Sequence, residues 1–503
     1  MKPFYVHEVS HQGLAAAIEE SRSKKIDRGL LVKELRNQYQ GFKDASCLSS
    51  IEKLLSPDCF TITTAHQPNI LTGPLYFVYK IAHTIALAKQ CKEFFPGNEF
   101  VPVYYMGSED ADLEELGHIY VEDKKYIWNT SQKGAVGRMK VDRDFTRIIH
   151  ELEGQLGVLP NGADVLSLVK NCYVEGARIQ DATFHFVHEL FKSDGLIVLI
   201  PDRPGFKSSV REIFRDDLLN QTASGIIQHT IEKIDEAGFK VQANPREINL
   251  FYLEDGIRER IVRTGEKYEV LNTDKTFSEN ELLAELENHP ERFSPNVILR
   301  GIYQESILPN IAFIGGGGEL AYWLQYGELF RHYQMPLPVL VLRNSFLIIE
   351  KKLVEKISKL GLSLSDVFMP EDKLYSHYVS LQTERNLKLN GTLEKVNELY
   401  SSMRLQASSV DQTLSAHVDA LRTKAVDKLM QLEKKMLRAE KKRFTVQQTQ
   451  IRDIKSKLFP GGKLQERHDN VLFYLAKYGR GFIDLIRDNS PALDQEFLIL
   501  EIY

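Results

Sequence analysis

Apolar runs of strand type alternate with helix-spaced apolar stripes from about residue 60 to residue 342, and the pattern changes after about residue 373. Up to about residue 55 the chain reads as amphipathic helix, with Leu30, Leu31, Leu35 and Tyr39 at helical spacing. Strand pattern at 60–64 is followed by a loop and a helix from about Pro74, along which Val78, Ile81, Ile85 and Ala88 form a stripe. Proline suits a first helical turn, because its missing N–H would have had no intrahelical partner there. Strand patterns recur at 101–106, 196–200, 311–314 and 339–342, with helical pattern around 163–192. Continuous apolar strands alternating with helices predict an α/β core whose parallel sheet is buried on both faces. Residues 251–260 read as a hairpin turning at Asp255-Gly256, within an insertion near 205–300.

Beyond residue 373 prolines vanish until Pro460 and glycine is nearly absent. Val418, Leu421, Ala425, Leu432, Met436, Ala439 and Val446 keep mostly three-and-four spacing, with a skip near Leu429. That is a coiled-coil pattern in which the skip would act as a stutter. An earlier helical stretch at about 377–405 suits an antiparallel partner; a long surface helix is the plain alternative. The segment Leu458 to Arg467 breaks the helix, and Phe473, Leu475, Phe482 and Ile483 predict that the tail packs back on a core. The expected division is an α/β core over 1–372, a helical coiled coil over 373–457 and a terminal segment over 458–503.

At 503 residues the chain is too long for one ordinary core. Hydrophobic content of 43% and charged content of 26% are those of a soluble globular protein. A net charge of -5 argues against nucleic acid as a partner of the whole molecule, leaving local basic surface, most obviously around Lys434 to Arg443. The four cysteines (Cys47, Cys59, Cys91 and Cys172) have neither CxxC pairing nor metal-type spacing with histidine, which fits a reducing compartment. Neither a signal-type leader nor a run of roughly 20 apolar residues is legible, so a cytoplasmic protein without a membrane partner is expected.

Candidate chemistry gathers just past strand ends, where an open parallel sheet offers a crevice to ligands. After the first strand come His66, Gln67, Asn69, Thr72 and Gly73, ahead of a helix whose start suits phosphate or carboxylate. His66 could donate to an anion or relay a proton; a capping loop is the alternative. After the second strand come Ser108 and the carboxylates Glu109, Asp110 and Asp112, which are able to orient a hydroxyl, hold an ammonium or bind Mg²⁺. Glu114 and Glu115 read as first-turn residues and His118 as structural, so no metal ligand set is assigned. Past the fourth strand lies Gly315, Gly316, Gly317, Gly318 and Glu319, a weak motif that its position strengthens, since glycine lets backbone approach a ligand. Tyr322 and Trp323 follow, as pocket wall or as core aromatics. Arg343 and Ser345 close the last strand, Arg343 being a carboxylate clamp or a surface ion pair. No Walker lysine, kinase set, G-x-S-x-G elbow or HExxH is present, and nothing nominates a covalent nucleophile.

Taken in order, Thr72-Gly73-Pro74-Leu75-Tyr76 with Tyr79-Lys80, Ser108-Glu109-Asp110 with Asp112 and His118, Ile314-Gly315-Gly316 with Gly318-Glu319 and Ala321-Tyr322-Trp323, and Leu458-Phe459-Pro460 with Gly462-Lys463-Leu464-Gln465-Glu466-Arg467 resemble the bacillithiol biosynthesis cysteine-adding enzymes. The chain departs from the pattern of that family at 66–69, Ala111 and Gly317. The resemblance implies a Rossmann-like core with connecting insertions, and a helical coiled coil through which the family forms homodimers. It implies a cysteine ligase joining L-cysteine to the amine of glucosaminyl-malate in the last step of bacillithiol biosynthesis. Forming an amide from a carboxylate calls for activation, most simply by ATP, through an adenylate or a phosphate. His66 and the glycine run would then stabilise phosphate or oxyanion charge, with Glu109, Asp110 or Asp112 orienting the sugar or taking the amine proton, and Arg343 holding malate's carboxylates. Two other readings stay open: nucleotidylyl transfer on another sugar or acid, and a non-catalytic dimeric coiled-coil scaffold.

Overall fold

A computed structural model describes residues 4–503, which divide into two units. One runs to Phe346 and takes in Glu466–Leu498; the other comprises Leu347–Gln465 and Ile499–Tyr503.

The first unit is built on a five-stranded parallel sheet of β1 (Cys59–His66), β2 (Glu99–Met106), β3 (Ile197–Leu199), β4 (Asn310–Gly315) and β5 (Val339–Leu342), in the order β5-β4-β1-β2-β3. From β1 the chain steps to β2 and β3 on one side, then returns to lay β4 and β5 on the other. The boundary between β1 and β4 is therefore the topological switch point, the place where such sheets open a crevice beyond their carboxyl ends. Register brings those ends level: Thr64 lies opposite both Tyr104 and Ile314, and His66 opposite Met106.

Burial on both faces explains the unbroken apolar strands. Phe60, Ile62, Ile311, Ile314, Val339 and Val341 pack with Leu87, Ala88 and Cys91 of helix α1 (Tyr76–Phe94) and with Leu14 and Ile18 of an N-terminal helix, His11–Ser23. Buried threonines are tolerated where they find acceptors, as Thr64 does by donating to the Ile314 carbonyl at 2.8 Å. The helical pattern read around 163–192 is two helices, Gly162–Cys172 and Ile179–Phe191.

The insertion holds a second, antiparallel sheet of 293–295, 250–254, 257–264, 267–270 and 276–278 in that spatial order. Its first hairpin turns at Asp255-Gly256, with Gly256 at φ 78°. Helix α2 (Val297–Ile307) leads from it into β4, and α3 (Gly317–Trp323) follows the glycine run.

The second unit begins earlier than the composition shift, because α4 (Lys351–Lys359) and α5 (Glu371–Gln382) share its core. Ile357, Leu374, Tyr378 and Val379 pack there with Ile451, Ile454 and Leu458. From that base rise α6 (Asn390–Val410) and α7 (Leu414–Lys441), an antiparallel pair joined at 411–413. Arg404 of α6 meets Asp419 of α7 at 3.3 Å, and buried Glu440 of α7 accepts from Thr383 and Arg385 at 3.1 Å. The covered side of α7 runs through Val418, Ala425, Leu429 and Met436, while Leu421 and Leu432 face outward. The seam thus passes through Leu429 rather than skipping it. No helix of the described residues is long and apolar enough to cross a membrane.

Candidate active site at the strand ends

His66 ends β1 with its ring packed against Tyr76 and Phe77, each at a centroid distance of 5.3 Å. It is 8% exposed, and its Nε2 has no hydrogen-bond partner in the protein. Burial, with the positive charges of Lys80 and Arg343 nearby, holds its pKa well below the ordinary histidine range. The ring is therefore neutral at neutral pH, so that it serves as a neutral donor or acceptor rather than as the cation an anion would prefer.

Around it stands a frame of ion pairs whose partners lie far apart in sequence. Buried Lys80, on α1, places Nζ 2.7 and 2.8 Å from the two carboxylate oxygens of Glu319 and also meets the Ala65 carbonyl at the end of β1. Burial lowers the pKa of Lys80, against the opposing pull of Glu319. Glu319 in turn accepts from the Gly316 backbone N–H at 2.7 Å, fixing the start of α3. At the end of β5, Arg343 grips Glu466 with both arms of its guanidinium, at 2.6 and 3.0 Å, and donates to Ser345 at 3.1 Å. Both members of that pair are under a tenth exposed. Arg343 is accordingly occupied within the protein and is not free as the carboxylate clamp expected of it.

The acidic cluster divides among separate partners. Glu109 pairs with buried Lys207 and accepts from Ser294 at 3.1 Å. Asp110 accepts from Gln67 at 3.2 Å, with Arg300 of α2 at 3.5 Å and Arg258 of the insertion hairpin at 4.0 Å. Burial opposes its charge, but the two arginines and Gln67 outweigh this and hold its carboxyl below the usual range. Asp112 caps a short helix by accepting from the Glu115 N–H at 3.0 Å.

What remains is a set of buried polar atoms with no partner in the protein: His66 Nε2, Asn69 Oδ1, Thr72 Oγ1, Tyr79 Oη, Ser108 Oγ and both side-chain atoms of Asn344. Burying such groups unpaired is costly, so their gathering at the ends of β1, β2 and β5 and on α1 makes this the candidate place for a polar ligand. The loop carrying Thr72 is held in an unusual conformation, with Leu71, Thr72 and Gly73 all at positive φ. Asn470 clamps it by donating to the Leu71 and Gly73 carbonyls at 2.9 and 2.6 Å. The last strand pattern also delivers Asn344 to this edge beside Arg343 and Ser345, and Tyr79 and Lys80 enter the sequence reading only through the family-like motif, whereas Arg300, Arg258 and Asn470 escape it.

Of the remaining predicted residues, Tyr322 is part-exposed and close enough to Glu319, Arg300 and Asp110 for their charges to act on its hydroxyl. Trp323 instead stacks on Phe313 at 4.3 Å and is 2% exposed, which makes it a core aromatic. Gly317 and Gly318 face open space, since a Cβ built at either would meet nothing within 4 Å, and a phosphate could approach their backbone closely. Gly315 is confined by Phe313 and Leu320. Among the described residues, no group of three or more His, Cys, Asp or Glu side chains is arranged to hold a metal ion.

Two family descriptions account for the whole architecture. "Bacillithiol biosynthesis BshC, N-terminal Rossmann-like domain" matches residues 1–344, and "Bacillithiol biosynthesis BshC, C-terminal coiled-coil domain" matches residues 346–502. A protein of Flavobacterium johnsoniae named "Putative cysteine ligase BshC" is 37% identical, over 100% of this chain and 95% of that protein. Proteins of the same name from Cytophaga hutchinsonii and Salinibacter ruber are 36% and 30% identical, over 98% and 94% of this chain and 92% and 88% of their own lengths. With a parallel sheet whose switch point carries the polar site, and a helical hairpin in the second unit, the chain belongs to the bacillithiol biosynthesis BshC family.

Proposed function

We propose that this protein is a cysteine ligase that joins the carboxyl of L-cysteine to the amine of glucosaminyl-malate, completing bacillithiol. The observation that carries the reading is the set of unpartnered buried polar atoms around neutral His66 at the sheet's switch point. A small polar substrate would satisfy them, and the names of the relatives supply its chemical class. ATP, when bound, would supply the activation of the carboxyl, and the open backbone at Gly317 and Gly318 fits its phosphates.

The chain's own residues would then do three things. The Lys80–Glu319 and Arg343–Glu466 pairs hold the ends of β1, β4 and β5 in place, so the site is organised before substrate arrives. Asn69, Thr72, Tyr79 and Asn344 orient hydroxyl and amine groups. As the amine bonds to the activated carboxyl carbon, the carbon–oxygen bond to the phosphate or AMP breaks and that group leaves, while the amine sheds a proton that neutral His66 would accept at Nε2. Asp110, paired with both arginines, acts instead to position them.

The coiled-coil hairpin supports a homodimer: Leu399, Leu405 and Val410 of α6 are 58%, 76% and 80% exposed, an apolar surface that a second copy would cover. Incubating the purified protein with cysteine, glucosaminyl-malate, ATP and Mg²⁺ and following product by mass spectrometry tests the reaction. Appearance of the cysteinyl amide supports it, whereas a nucleotidyl product formed without cysteine would replace it with nucleotidylyl transfer.

A further inference from the structure

We infer that Arg300 and Arg258 form the anion clamp of the crevice, and that they take a dicarboxylate, the malate end of the acceptor; this rests on the ligase reading above. Arg343, the arginine that strand-end position nominates, already has its fork on Glu466. Arg300 and Arg258 are differently placed. Arg300 lies over the end of β2, where a Cβ on Gly107 would sit 3.5 Å from its NH1. Its side chain is 24% exposed and donates no hydrogen bond to any described residue. Arg258 reaches the same place from the insertion hairpin, its guanidinium stacked on Phe251 at 4.0 Å and its Nε donating to Ser294 at 3.2 Å. That leaves the terminal nitrogens of both residues facing Asp110 at 3.5 and 4.0 Å, ion-pair separations too long for hydrogen bonds.

Both guanidinium groups face Asp110, and Glu109, itself paired with Lys207, acts on both from further off, so three cations meet two carboxylates and donors on both arginines stay unused. Guanidinium forks match carboxylate geometry two bonds at a time, so two forks suit two carboxylates. Ser108 Oγ, fully buried and unpartnered on the residue after Gly107, adds a further hydrogen-bonding group on the same loop. The clamp is at the end of β2 and the open glycine backbone at the end of β4, with Tyr322 between their charges. Asp110 is the resting counter-ion that keeps the arginines charged and oriented; a ligand carboxylate would add the close bonds that Asp110 does not make.

Isothermal titration of the full-length protein with malate, and separately with inorganic pyrophosphate, tests this. Arg300→Gln and Arg258→Gln should each weaken malate binding by at least about tenfold and leave pyrophosphate binding unchanged, with Arg300→Lys recovering only part. On the wild type alone, malate should bind at least about tenfold more tightly than the monocarboxylate lactate, a comparison that survives if a variant fails to fold. Equal malate binding by folded variants, equal affinity for malate and lactate, or loss of pyrophosphate binding in place of malate binding would overturn the clamp. Titration and turnover separate the two claims: amide formation with unchanged malate binding in the variants sinks the clamp alone, and malate binding without amide formation sinks the ligase reading alone.

Discussion

Protonating His83 would set two N–H groups against each other, because its Nδ1 accepts the Asn344 backbone N–H at 3.1 Å while Nε2 faces the Ala492 carbonyl. Its burial lowers the pKa to about 4, with the Ala492 contact opposing. A group depressed in the folded state contributes stability above its unfolded value and loses it as pH falls through the folded one. His83→Gln should therefore flatten the wild type's loss of stability between pH 6.5 and about 4, a difference reaching up to about 3 kcal/mol in denaturant titrations. His66→Asn makes a separate prediction: amide formation should fall about 10²–10⁴-fold while circular dichroism is unchanged, since the residue is placed for proton transfer and not for holding the fold. Arg343→Met should leave Glu466 charged and buried, destabilising the first unit by about 3–5 kcal/mol in chemical unfolding. His66 and Gln67 were legible because a strand pattern runs directly into them. The partners of Lys80 and Arg343 were not, since pairs separated by 239 and 123 residues are set by sheet topology and leave no local trace.

Elements were more legible than partners, and for a physical reason. A strand buried on both faces is mostly apolar, so β2, β3, β4 and β5 announced themselves, and β1 did so despite its threonines; the Asp255-Gly256 turn required the positive φ that Gly256 adopts. Trp323 was undecided between pocket and core because helix periodicity does not say which neighbour covers a face; stacking on Phe313 decides it. The coiled-coil seam was misplaced by the same ambiguity, since Leu421 and Leu432 repeat as well as Leu429 does yet lie on the outer side of the hairpin. The loop after β2 depends on a close approach that no pattern reveals. A Cβ on Gly137 would lie 2.3 Å from the Ser108 carbonyl oxygen, so Gly137→Ala should push that loop away, costing about 1–3 kcal/mol in thermal unfolding and weakening acceptor binding.

At the scale of the whole molecule, the proposed function makes use of two features. The strand ends gather unpartnered buried polar atoms, and α6 exposes apolar residues; under the proposed function the first would bind small polar substrates and the second would meet another copy. Leu399→Glu with Leu405→Glu should convert a dimer to a monomer in size-exclusion chromatography with light scattering; an unchanged mass would place the interface elsewhere. The central claim is the cysteine-adding reaction, and the direct measurement is mass spectrometry of thiols in cells lacking this gene, complemented with wild type or with His66→Asn. The account predicts that the deletion loses bacillithiol and accumulates glucosaminyl-malate, with restoration by wild type and not by the variant. A thiol pool unchanged by the deletion would contradict it.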